Sequence, residues 1–169
     1  AKKLLAEAGY PNGEGIPTLE FMYNTEGSHN LVAQVIQQDW AKIGVNVELT
    51  NQEWKVFLNT RQQGGYQIAR HGWLGDYVDP MTFLDLWVTG GGNNDAGYSN
   101  PKYDELVNGA KVEADVNKRW DMMKQAEDIL MEDMPIIPLY FYNKTTGAKP
   151  EVKGVRVSML GHVYFDKAY

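Results

Sequence analysis

With 169 residues, 43% of them hydrophobic, the chain is long enough to bury a core and too short to imply two independent domains, so one folding unit is expected. Its 16 Lys and Arg against 22 Asp and Glu give a net charge of −6, which removes the basic footprint that nucleic acid or an anionic membrane requires. The absence of cysteine excludes a disulfide scaffold, a thiolate metal site and a cysteine nucleophile.

Ala1 to Ala8 reads as a helix without a start signal, stopped at Gly9, as expected of a piece cut from a longer protein. No charged-then-apolar leader is expected there, and the longest apolar run, Ile136 to Tyr142, falls far short of the roughly 20 residues a membrane-spanning helix needs. Thr18 to Tyr23 alternates, with Leu19, Phe21 and Tyr23 on one side, which predicts a strand. After a turn at Asn24 to Gly27, Leu31, Val32, Val35, Ile36, Trp40 and Ile43 recur at helical spacing until Gly44. Val45, Val47 and Leu49 predict a second strand, Trp54, Phe57 and Leu58 a short helix ending near Gly64 and Gly65, and Tyr66 to Arg70 a third strand. Strands alternating with helices over short connections indicate parallel pairing by right-handed crossovers.

In the second half, Asn100 and Pro101 form an N-cap and first-turn pair opening a helix to about Lys111. Val116, Trp120, Met123, Ala126 and Leu130 space a longer helix behind a cap at Asp115. Both helices are expected to cover the sheet. Ile136 to Tyr142 reads as a buried strand, with Pro138 pointing to an edge or a bulge. The expected fold class is therefore α/β, an open mixed sheet with helices on both faces, and the tail from Gly147 to Tyr169 has no core of its own.

Ligands of open parallel sheets settle beyond the carboxyl ends of the strands. That rule selects the loop holding His29 and the loop Ala69-Arg70-His71-Gly72-Trp73-Leu74-Gly75-Asp76-Tyr77, where a guanidinium, an imidazole, an indole and a carboxylate sit among glycines. Arg61 and Arg70 are two of only four arginines in the chain. The bland alternative is that Arg70 and Asp76 pair with each other or with surface charges, and residue counting alone does not beat that reading. His29, His71 and His162 lack metal-ligand spacing, and no cofactor is indicated. Ser28 beside His29 is no triad, which leaves a hydrolase without a nucleophile and base. Gly90 to Asp95 lacks the Lys and Ser or Thr of a phosphate loop and reads as a flexible loop. Asn143-Lys144-Thr145 fits a glycosylation sequon, a match short enough to arise by chance.

The ordered pieces resemble the extracytoplasmic solute-binding proteins for oligopeptides and dipeptides. The resemblance is carried by Ala1 to Tyr10, the apolar-Gly-Val-x-Val pattern of Ile43 to Val47 and Gln52-Glu53-Trp54-Lys55. It continues through Ala69-Arg70-x-Gly72-Trp73-x-x-Asp76-Tyr77, Asn93-Asn94, Tyr98-x-Asn100-Pro101 with Tyr103-Asp104, and Pro135 to Tyr142. It departs at His71 and Gly75.

The resemblance implies one lobe of a two-lobed, periplasmic-binding-protein-like (type II) receptor that closes over an extended peptide. Residues 1–146 would form the carboxy-terminal ligand-binding lobe and 147–169 a tail returning toward the amino-terminal lobe. It further implies that Asp76 grips the peptide's amino terminus and that Arg61, Arg70 and His29 meet its terminal carboxylate. Trp54 and Trp73 would wall side-chain pockets, with Asn93 and Tyr142 nearby. The sheet rule ranks Arg61 lower, since the end of a helix returns to the opposite edge. The implied partners are an oligopeptide, the amino-terminal lobe and the membrane permease of an ABC transporter, at an extracytoplasmic location that is periplasmic or lipid-anchored. The runner-up ligands on such a scaffold are a metal chelate, haem or an oligosaccharide.

Overall fold

The alternation of Leu19, Phe21 and Tyr23 becomes strand β1, Leu19–Asn24, in a computed structural model that describes residues 1–169. The chain divides into two compact units, Ala1–Gly72 and Trp73–Tyr169, where length alone predicted one. Each gathers its own buried cluster, and this is why the chain does not form a single core.

In the first unit, helix α1 (Lys2–Glu7) precedes β1, helix α2 (His29–Ala41), strand β2 (Val47–Gln52), helix α3 (Trp54–Gln62) and strand β3 (Ile68–Ala69). The sheet order is β2-β1-β3, and both pairings are parallel, Leu19 facing Val47 and Phe21 facing Ile68. The crossover from β1 to β2 and the crossover from β2 past β1 to β3 run in opposite directions across the sheet, so right-handedness puts α2 and α3 on opposite faces. Phe21, Tyr23, Val45 and Val47 bury with Ala33 of α2. Met22 and Asn24, opposite in the pleat, are equally hidden, and α3 packs on β1 and β2 with Phe57 fully buried.

Of the expected stripe on α2, Ile36, Trp40 and Ile43 pack against the sheet's core, whereas Leu31 and Val35 are exposed and Ala33, outside that stripe, is fully buried. Small Ala33 permits close approach of the helix to the sheet. The turn into β2 needs glycine, because a Cβ on Gly44 (φ +87) would stand 1.7 Å from the Asn12 carbonyl oxygen.

The second unit is helical. The short α4 (Met81–Leu84) leads through a 3-10 turn, Asp85–Trp87, to α5 (Pro101–Val112) and α6 (Val116–Asp133). The expected caps are present: the Asn100 side chain accepts from the N–H groups of Lys102 and Tyr103, and Asp115 from that of Lys118. These helices build the core of the second unit. They bury Tyr103, Leu106, Val107, Ala110, Met123, Ala126 and Leu130 against one another and against Met81, Leu84, Leu86 and Trp87. The Tyr103 hydroxyl donates to the Leu84 carbonyl at 2.5 Å. Val116 and Trp120 remain exposed, so only the later half of the predicted stripe on α6 is core.

The sheet is wholly parallel, not mixed, because Ile136 to Tyr142 forms no ladder. Pro138 lacks an N–H, and Ile137, Leu139, Tyr140, Phe141 and Tyr142 are exposed. In the tail, strands β4 (Arg156–Val157) and β5 (Val163–Tyr164) make a small antiparallel hairpin, beside which Arg156 Nη2 donates to both carboxylate oxygens of Asp166.

Candidate ligand-binding site

In the order β2-β1-β3 the direction of winding reverses, and doubly wound sheets of this order open a crevice beyond the carboxyl ends of β1 and β3. The Arg70 N–H donates to the Met22 carbonyl at 2.8 Å and prolongs the β3 pairing by one residue, so Arg70 stands at the strand's carboxyl end. His29 opens α2 just after β1. Burial first, then the positive charge of Arg70, hold its imidazole below the ordinary histidine range, with Glu26 opposing. His29 and Arg70 are thus brought into one electrostatic neighbourhood.

Trp54 starts α3, directly beyond β2, and stacks on Phe57 with ring centres 6.0 Å apart. Arg61 lies seven residues on, roughly 10 Å along the helix axis at 1.5 Å per residue. Its guanidinium reaches back over Phe57, 5.6 Å from the ring centre, so the long side chain recovers part of that distance.

Two polar residues at the strand ends escaped the sequence reading. Asn24 and Gln52 are register partners, and each carries a buried amide oxygen that accepts no hydrogen bond. A residue read as the first of a turn gave no sign of ending a buried strand.

In the second unit Trp73, Asp76 and Asn93 line one cavity with Tyr77, Thr82, Asp85 and Leu86. Its volume is about 90 Å³, against the roughly 300–1,000 Å³ of sites that enclose whole small molecules, so it suits an end group. The Asp76 carboxylate is exposed and has no hydrogen-bond or ion-pair partner within Trp73–Tyr169. Its backbone is fixed, however: the Asp76 N–H donates to Thr82 Oγ1 at 3.1 Å, and the Trp73 indole N–H reaches the same oxygen at 3.4 Å.

Beyond it, Asp79 accepts both terminal nitrogens of Arg119 at 2.9 Å each, and the Met81 N–H as well. Arg119 Nε also donates to the Ala110 carbonyl, which ties the loop to α5 and α6. The Arg119 hydrogen bonds hold the Asp79 carboxyl below the usual carboxylate range against the opposing effect of burial, with help from Met81.

The glycine run expected to be a flexible loop is fastened at Asn94, whose amide donates to the Val88 and Tyr98 carbonyls and accepts the Tyr98 N–H. Asn93 beside it is left exposed toward the cavity. Tyr142 sits on the exposed stretch, edge-to-face with Tyr140 at 5.4 Å. No group of three or more metal-ligating side chains forms.

A family model described as bacterial extracellular solute-binding proteins, family 5 Middle, matches residues 1–95. The chain is 42% identical over 170 residues to the oligopeptide-binding protein OppA of Bacillus subtilis (strain 168), across 99% of this chain and 31% of that protein. Among solved structures it is similar to the Escherichia coli murein tripeptide binding protein MppA, with a TM-score of 0.81 and 39% identity over 90% of this chain and 30% of that one. A Haemophilus influenzae OppA complex with the peptide RPPGFSPFR gives a TM-score of 0.79 and 36% identity, again over 90% of this chain and 30% of the other. The chain therefore spans only about three tenths of the length of these relatives.

Proposed function

Because this chain belongs to the bacterial extracellular solute-binding proteins, family 5, we propose that it is the carboxy-terminal lobe of a receptor that captures oligopeptides and delivers them to the membrane permease of an ABC importer. The carrying observation is the exposed Asp76 carboxylate, without a cation of its own, beside the Trp73 indole in a cavity sized for an end group. A peptide ammonium answers that charge, whereas a sugar or haem offers no equivalent cation. Arg70 and His29 receive the terminal carboxylate at the strand ends, with Arg61 as a longer-reach contributor. Trp54, Asn93 and Tyr142 border side-chain pockets that select little.

Residues 1–146 carry this binding work, and 147–169 return toward the amino-terminal lobe. The exposed run Ile137 to Tyr142 supports that reading, since bare apolar stretches of this kind mark surfaces covered in the intact molecule. The receptor acts outside the cytoplasm, in a periplasm or anchored by lipid. No helix here is long and apolar enough to cross a membrane.

The test is Asp76→Asn in the full-length receptor. A charge-assisted bond contributes about 1.5–3 kcal/mol, so affinity for free-amine peptides should fall roughly ten- to a hundredfold while N-acetylated peptides change little. Equal losses for the two classes, measured by calorimetry, would remove Asp76 from its assigned role.

A further inference from the structure

We infer that Thr82 is a positioning residue for ligand recognition, one hydroxyl that sets Asp76 and Trp73 relative to each other; the inference rests on the reading of Asp76 as the ammonium grip. A threonine hydroxyl has two acceptor lone pairs. Here one takes the Asp76 N–H at 3.1 Å and the other the Trp73 indole N–H at 3.4 Å. The carboxylate and the flat wall, three residues apart on a glycine-containing loop, are thereby referred to a single oxygen.

That oxygen is itself fixed. Thr82 is 5% exposed, and its own N–H donates to the Asp79 carbonyl at 3.2 Å. The Asp79 side chain is locked by the two Arg119 bonds. On the other side, the Thr82 methyl lies so near the loop that a Cβ on Gly75 would stand 3.1 Å from it. Gly75 thus lets the loop descend onto Thr82. A position where this sequence departs from the resemblance is explained by a local fit.

Packing alone would also bury a threonine here, and the difference between the two roles is measurable. Thr82→Val keeps shape and volume but leaves both N–H donors without their acceptor. Thr82→Ser keeps the oxygen and removes the methyl. In the full-length receptor, Thr82→Val should weaken free-amine peptides about five- to tenfold, leaving N-acetylated peptides within about twofold, while Thr82→Ser stays near the parent. Gly75→Ala, which pushes the loop off Thr82, should repeat the selective loss and serves if the valine variant does not fold.

Equal weakening of both peptide classes by Thr82→Val and Gly75→Ala, or a serine variant as impaired as valine, overturns the inference. Asp76→Asn separates the failures. If that variant discriminates between the peptide classes and the Thr82 and Gly75 variants do not, the grip stands and the positioning role falls. If it does not discriminate, both fall together.

Discussion

His29 begins α2 with its imidazole biased toward the neutral form, by burial and then by Arg70. A peptide carboxylate arriving beside it would favour the charged form, so binding should take up a proton. Because the folded pKa lies below the ordinary 6.5, the imidazole is largely deprotonated at neutrality, and affinity for free-carboxylate peptides should rise as pH falls from about 7.5 to 6. Calorimetry of the full receptor in buffers of different ionisation enthalpy should show this uptake, and His29→Gln should abolish it. Proton release, or no buffer dependence in the parent, contradicts the assignment. At this scale, that Trp73 and Asp76 come together was legible because fixed charge and an indole among glycines fit few structural needs, whereas Asn93, which lines the same cavity, was named only through the family resemblance. Thr82 was not, since an isolated threonine says nothing about which two donors the fold will bring to its oxygen.

The element that carries Asp76 is held by Asp79 and Arg119, whose side chains are 29% and 25% exposed. Replacing Asp79 with Asn removes a charge-assisted pair and should lower the stability of the intact receptor by about 1–3 kcal/mol at pH 7. The pH dependence has a defined sign. The Asp79 pKa is depressed in the folded state, chiefly by Arg119. Its stabilisation is therefore present above the unfolded carboxyl value near 3.9 and is lost as pH falls through the lower folded value. Denaturant titrations at pH 7, 4 and 3 should show the parent and Asp79→Asn converging toward the acid end; a constant gap between them counts against the pair.

Helix starts were legible where a side chain makes the cap, as at Asn100 with Pro101 and at Asp115. The stretch Ile136 to Tyr142 was misread because an apolar run declares that it must be covered without saying by what.

Over the whole molecule, the parallel sheet and its strand-end loops followed from alternation and short connections, whereas the division at Gly72 and Trp73 did not. Length sets how much core a chain can build, but not whether two separate clusters share it. On the proposed reading of this chain, which spans 31% of its Bacillus subtilis relative, as one lobe of a receptor, the chain alone should bind peptide far more weakly than the two lobes together. It should also self-associate through Ile137, Leu139, Phe141, Met159 and Phe165, all exposed. Analytical ultracentrifugation with parallel calorimetry checks both, and a monomeric fragment with full affinity would refute them.

Pro138 limits the form this association can take. A stretch missing one backbone donor near its middle is a poor template for stacking in register with its own copies, which is how fibrils grow. The clusters should be side-chain contacts that dissolve on dilution and do not seed cross-β growth.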